Sequence, residues 1–236
     1  TDDVTLTFEP GTLSAIIGPN GAGKTTLFHL VTGKLPPSAG RVLLDGEDIT
    51  GLDRQAIVRK GIGRAFQVAN LFPSFTVAES LGAAIMTHEG RTARLFSAFP
   101  PRDIARRAEE VMELCGLSPL ARRPARHLSH GDQKLLDVAM ALALDPKVLL
   151  LDEPTAGMGP EERWRMIERV YRLWQAKGLT LVFIEHDMDI VFRIAESVRV
   201  LRYGAVLAEG TPEEVRRNPA VIEAYLGAEH ALEEAP

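Results

Sequence analysis

Cysteine is almost missing from this chain, with Cys115 the single one in 236 residues. One thiol makes neither an internal disulfide nor a multi-cysteine metal site, and it fits a reducing compartment. Long hydrophobic runs are missing as well. Val138 to Leu144 and Val148 to Leu151 fall far short of the ~20 residues that cross a bilayer, and both are bounded by charges. No strong charge of one sign is present either. A formal net charge of -5 argues against general nucleic-acid binding. What is there is the composition of a globular protein, 45% hydrophobic and 25% charged. Such a chain buries roughly 70 to 75% of its unfolded surface, as one large domain or one domain with an insertion. It opens with neither a methionine nor a signal-like apolar run, and its first residues already read as a strand. It is therefore expected to continue upstream of Thr1.

Thr5 to Phe8 alternates polar and apolar before Glu9-Pro10-Gly11, and Leu13 to Ile17 is apolar, which predicts an entering hairpin. A glycine loop, Gly18 to Gly23, leads into a helix over Lys24 to Val31 that Gly33 ends. A strand over Arg41 to Asp45, a short helix over Asp53 to Arg59 and a strand over Ile62 to Gln67 follow. From Ser74 to Leu128 the texture turns helical, with Val77 to Met86 and Ile104 to Cys115 as helices, and predicts an inserted helical subdomain. Within it, Arg91 to Arg126 carries eight arginines against four carboxylates, either a solvated helical face or a membrane-proximal or partner-facing surface. Gln133 to Leu144 reads as an apolar helix and Val148 to Leu151 as a strand buried on both faces. Then come a helix from Pro160 to Lys177, a strand over Thr180 to Ile184, a helix near Met188 to Ala195, and strands over Ser197 to Leu201 and Ala205 to Ala208. Thr211 to Leu226 is expected to be one closing helix, with residues 228–236 a frayed acidic tail. Strands alternating with helices predict an α/β fold with a mostly parallel sheet.

Gly18-Pro19-Asn20-Gly21-Ala22-Gly23-Lys24-Thr25 fits G-x-x-x-x-G-K-[ST] and sits between an apolar strand and an amphipathic helix. In such a loop the glycines let backbone N–H groups turn inward around phosphate oxygens, and the helix N-terminus adds partial positive charge. Lys24 is expected on the β- and γ-phosphates and Thr25 on Mg²⁺, with Thr26 next in the same cradle. Val148 to Asp152 delivers a carboxylate suited to that metal, and Glu153 follows as a group that orients water.

In this setting the sequence resembles the ABC-type ATPases, the nucleotide-binding subunits of ABC transporters. The resemblance implies a RecA-like P-loop NTPase core with an antiparallel β edge, residues 1–73 and 129–227 forming the core and 74–128 the helical subdomain. It rests on further elements in order. Gln67, in Ala65-Phe66-Gln67, matches the family's glutamine that contacts Mg²⁺ and the attacking water. Leu128-Ser129-His130-Gly131-Asp132 lies at the signature, whose helix start addresses the γ-phosphate held by a second subunit. Ser129 and Asp132 also read as a capping box. Glu153 to Pro160 covers the D-loop, and His186 matches the switch histidine. The chain departs from the family at His130 and Asp132 in the signature and at Gly159, where an aspartate is usual. The adenine-stacking aromatic is expected upstream of Thr1.

Asn70-Leu71-Phe72-Pro73, Ala156-Gly157-Met158-Gly159-Pro160 and Asn218 to Gly227 are similar to branched-chain amino acid importer ATPases, with urea importers and lipopolysaccharide exporters as neighbours. The resemblance implies catalytic roles for Glu153, His186 and Gln67, and a metal held by Thr25, Gln67 and Asp152. ATP and Mg²⁺ are the implied cofactors. A second ATPase subunit, membrane permeases and, indirectly, a periplasmic solute-binding protein are the implied partners, at the cytoplasmic face of the cell membrane. A DNA-repair ATPase would carry a long coiled-coil insertion, a translation factor two cassettes, and a GTPase an N-K-x-D-like base reader; none is present.

Overall fold

Every residue of β1 (Leu13–Ile17) is buried, as a strand enclosed on both faces must be. In the computed structural model, which describes residues 1–65, 72–91 and 99–225, two units form, Thr1–Ile57 with Gly178–Pro236 and Val58–Lys177. In the first, β1 leads through the glycine loop into α1 (Lys24–Val31). Two two-residue strands, β2 (Leu43–Leu44) and β3 (Glu47–Asp48), pair antiparallel about Asp45-Gly46, both at positive φ as a tight two-residue hairpin turn requires. β6 (Thr180–Ile184), α7 (Met188–Ile194), β7 (Ser197–Arg202), β8 (Ala205–Gly210) and α8 (Pro212–Arg217) complete the unit. β1 lies between parallel neighbours, with Ala15 opposite Phe183 of β6 and Val198 of β7. β8 adds the antiparallel edge on β7.

The second unit begins within α2 (Arg54–Lys60), at Val58. β4 (Ile62–Ala65) and β5 (Val148–Asp152) pair parallel, Ile62 opposite Val148. Between them in sequence, α3 (Val77–His88), α4 (Arg102–Cys115) and α5 (His130–Leu142) pack on one another around Leu81, Ile85, Ile104, Leu135 and Leu136. A capping box starts α3, with Thr76 accepting from the Glu79 N–H and the Glu79 carboxylate accepting from the Thr76 N–H. α6 (Pro160–Lys177) closes the unit. A mostly parallel sheet with one antiparallel edge, flanked by helices, is the fold class the alternating pattern predicted.

Three expectations are corrected. Thr5 to Phe8 is not a strand. Parallel ladders occupy both edges of β1, so no edge is left for a hairpin partner. The segment is fastened by Arg199 instead, whose guanidinium donates to the Thr7 carbonyl and lies 4.2 Å from the Phe8 ring centroid. The closing helix is broken. α8 ends at Arg217, Asn218 is extended with ψ 118, and residues 219–225 are helical again. Pro219 disfavours helical geometry in the residue before it, and the Asn218 side chain then caps the Ala220 N–H at 3.0 Å. The strand expected over Arg41 to Asp45 is confined to Leu43–Leu44. Leu226, Gly227 and the 228–236 tail lie outside the described residues.

Cys115 ends α4 at 1% exposure, and burial pushes its thiol up to about 12. At pH 8 the thiol is therefore protonated, and the thiolate is the reactive form. A thiol-specific colorimetric reagent should find no reactive group in the native protein at that pH and one equivalent after denaturation.

Candidate nucleotide site

The loop after β1 is shaped by Gly18, Gly21 and Gly23, with φ of 148°, 78° and 99°. These left-handed values are open to glycine at little cost. Asn20 and Gly21 face solvent, while Ala22 and Lys24 are buried. Lys24 folds back into its own loop, donating to the Gly18 carbonyl at 2.6 Å and the Pro19 carbonyl at 3.1 Å. The cation thus sits inside the cradle. Gly23 is the N-cap of α1, no side chain caps this end, and no acidic residue lies in its first turn. That leaves the helix start suited to an anion, with Thr25 and Thr26 half-buried in the first turn.

β5 ends at Asp152, which is 3% exposed. Its Oδ2 accepts from the Arg64 guanidinium at 2.6 Å, and its Oδ1 is buried with no hydrogen bond among the described residues. A buried carboxylate oxygen left open in this way is a fitting ligand for a hard cation or its water. Among the described residues no group of three or more His, Cys, Asp or Glu could hold a metal by itself. Mg²⁺ at a nucleotide needs only one or two protein oxygens, because phosphates and water complete its shell, so the open Asp152 oxygen of the second unit suits such a role by itself, as the Thr25 hydroxyl of the first unit does by itself.

Glu153 is half-buried, with φ 50°. That is a costly backbone state for a residue with a side chain, of a kind that clusters at functional sites. The turn continues with the Ala156 N–H donating to the Glu153 carbonyl at 3.2 Å and the Met158 N–H to the Thr155 carbonyl. Lys134 of α5, 5% exposed, donates to the carbonyls of Glu153 at 2.9 Å and Ala156 at 2.8 Å.

The signature segment opens α5. Ser129 is the N-cap, accepting from the Asp132 N–H at 3.1 Å and donating to the Asp132 carboxylate at 2.8 Å. For this reason the helix begins at His130, ahead of Gln133 where the apolar pattern starts. Ser129 and His130 are exposed. Gly131 is buried against Glu162, whose Oε1 would lie 2.3 Å from a Cβ at that position. His186, exposed after β6, has its N–H on the carboxylate of buried Glu185, and Asp187 caps α7 next to it. Gln67 lies outside the described residues, as do Asn70 and Leu71.

Within the first unit, then, the loop residues Gly18 to Thr26 form one cradle. Within the second, the signature start, Asp152 and Glu153 are tied together through α5 and the turn after β5. Three contributors escaped sequence reasoning. Lys134 reads as an ordinary helix lysine, and Arg64 as an alternating strand residue. Tyr225 stands far along the chain, yet its phenol is buried beside the Gly18 backbone and pushed up to about 12 by that burial. The signal for all three is tertiary.

A parallel-sheet core whose glycine loop closes on a buried lysine defines a phosphate-loop nucleotide-binding protein. A family model described as ABC transporter matches residues 1–156, and one described as branched-chain amino acid ATP-binding cassette transporter matches residues 205–231. The chain is 39% identical over 234 residues to the high-affinity branched-chain amino acid transport ATP-binding protein LivG of Escherichia coli K12, covering 96% of this chain and 91% of the relative. It is 40% identical to BraF of Pseudomonas aeruginosa, which bears the same description, covering 95% and 90%. The fold is similar to a nucleotide-free ATP-binding cassette from an ABC transporter, with a TM-score of 0.82 at 32% identity over 94% and 90% of the two chains. It is also similar to a dimeric cassette in a post-hydrolysis state bound to ADP and Pi, with a TM-score of 0.75 at 26% identity over 89% of each. The chain belongs to the ABC transporter family, as an ATP-binding cassette and ATPase.

Because Lys24 is the buried cation of the loop and holds its two ends together, Lys24→Ala should weaken ATP binding at least tenfold while the far-UV circular dichroism stays that of the parent. Titration with a fluorescent ATP analogue measures it, and unchanged affinity would sink the assignment of this loop.

Proposed function

We propose that this chain hydrolyses Mg-ATP as one half of a cassette dimer, and so powers uptake of branched-chain amino acids through separate membrane permeases. The observation that carries the reading is end-to-end similarity to LivG and BraF, including a C-terminal segment matched by the branched-chain amino acid family model. No helix among the described residues is long and apolar enough to cross a membrane, and the proposal assigns the solute path to the permeases. Its place is the cytoplasmic face of the cell membrane, with a periplasmic binding protein delivering solute from the other side.

The roles of the phosphate loop, Asp152 and Glu153 follow from chemistry, and those of Gln67, His186 and the signature start from the family resemblance. Gly18 and Asn20 to Gly23 offer backbone N–H donors to the β-phosphate, and Lys24 exchanges its loop carbonyls for β- and γ-phosphate oxygens. Thr25, Asp152 and Gln67 are the residues that would hold Mg²⁺, and the ion would supply neutralisation of the phosphate charge. Glu153 accepts the proton of the water that attacks the γ-phosphate, and His186 holds that geometry. The capped start of α5, Ser129 to Gly131, presents backbone N–H groups to the γ-phosphate held by the second subunit.

Removing the charge of the base should stop chemistry and spare binding. Glu153→Gln is expected to slow hydrolysis by roughly 10²- to 10⁴-fold, the range for a general base, and to trap ATP-bound dimers visible by light scattering. Asp152→Asn should instead raise the Mg²⁺ concentration needed for half-maximal rate. Near-normal single-turnover hydrolysis by Glu153→Gln at saturating ATP would move the base elsewhere.

A further inference from the structure

Lys134 is a buried cation outside the phosphate loop, and both of its backbone acceptors belong to one turn. Its ammonium lies 2.9 Å from the carbonyl of Glu153 and 2.8 Å from that of Ala156, the two ends of the segment that follows β5. Burying an ammonium is costly, so its position is set by where strong acceptors can be found. The first acceptor is the carbonyl of the one residue in this turn that has both a carboxylate and a left-handed backbone, φ 50°. Rotating Glu153 into the right-handed or extended region would swing its carbonyl off the ammonium and redirect its Cα–Cβ bond.

We infer that Lys134 is a positioning residue for hydrolysis: by holding the Glu153 and Ala156 carbonyls it keeps Glu153 in the left-handed state that presents its carboxylate. The inference rests on the reading of Glu153 as the base. Ala156 ties the second end of the turn, so the cation fixes the loop and not a single peptide. The same helix carries Ser129 about a turn and a half earlier, and the His130 ring lies against Gly157 in the same loop, 3.3 Å from where a Cβ would stand. Helix α5 therefore fastens the signature start and the turn of the base to each other. Arg64 serves Asp152 differently, through its side-chain oxygen. The neighbouring carboxylate thus has a side-chain support of its own in Arg64.

A double-mutant cycle in the full chain tests this, with single-turnover hydrolysis and fluorescent ATP-analogue affinity measured for Lys134→Met, Glu153→Gln and the pair. Lys134→Met is expected to lower the hydrolysis rate roughly 10- to 100-fold, the scale of a misplacement of reacting groups by about an ångström. ATP affinity should stay within about twofold of the parent, and Lys134→Arg should restore part of the rate. In the Glu153→Gln background the Met substitution should cost less than about twofold more, because the group it positions is already disabled. Equal activity of Lys134→Met and parent would overturn the inference. So would the same loss in both backgrounds, or a rate loss matched by lost ATP affinity. If Lys134→Met does not fold, judged by near-UV circular dichroism, Lys134→Gln carries the same cycle with the same outcomes. Glu153→Gln alone decides whether Glu153 is the base, so failure of that reading is seen separately from failure of the double mutant.

Discussion

A Cβ at residue 18 would lie 2.1 Å from the carbonyl oxygen of Leu201, and the phosphate loop exists because no such atom is there. The parallel register of β1 with β7, Ile17 opposite Val200, brings the β7 backbone up to the point where β1 ends. Any other residue would force the strand or the loop away. With glycine in place the chain turns tightly and α1 begins at once. Lys24 then finds the Gly18 carbonyl within hydrogen-bond reach, and the Gly204 N–H at the β7–β8 turn bonds the Ala22 carbonyl at 3.0 Å. One steric allowance thus sets the cradle, its cation and its support.

The end of β5 is held by electrostatics more than by sterics. Asp152 and Glu153 are adjacent, yet their supports are distinct. Arg64 grips one Asp152 oxygen and leaves the other open, whereas Lys134 grips the backbone of Glu153. Removing one partner of such a buried charge pair typically costs far more than an exposed pair contributes, because the remaining charge is left uncompensated. The arrangement gives the side chain of Asp152 and the backbone of Glu153 separate cationic partners, although the two residues are adjacent at the end of a single strand.

Much of this was legible in sequence because its chemistry is contiguous. The glycine loop, Lys24, and the apolar strand ending in Asp152-Glu153 are runs whose neighbours explain them. Pro160–Lys177 and Thr180–Ile184 were read with their observed bounds for the same reason. Thr5 to Phe8 misled because alternation reports a half-buried segment, and burial under Arg199 produces the same pattern as a ladder. The break at Asn218-Pro219 was visible in principle, since Pro219 constrains the residue before it, but the periodicity on either side hid it. Lys134, Arg64 and Tyr225 were not legible at all. Their partners are acceptors from other elements, and no local pattern announces such a pairing.

The central claim is that this chain is an ATPase whose site is completed by a second copy or a sister subunit. Phosphate release from Mg-ATP by the purified chain, measured across a range of protein concentrations, addresses it most directly. The account predicts Mg²⁺-dependent release whose rate per chain rises with protein concentration as dimers form. A rate per chain that is independent of concentration would contradict a site shared between copies, and no release at any concentration, with nucleotide bound and whether or not the sister ATPase subunit is added, would contradict the ATPase.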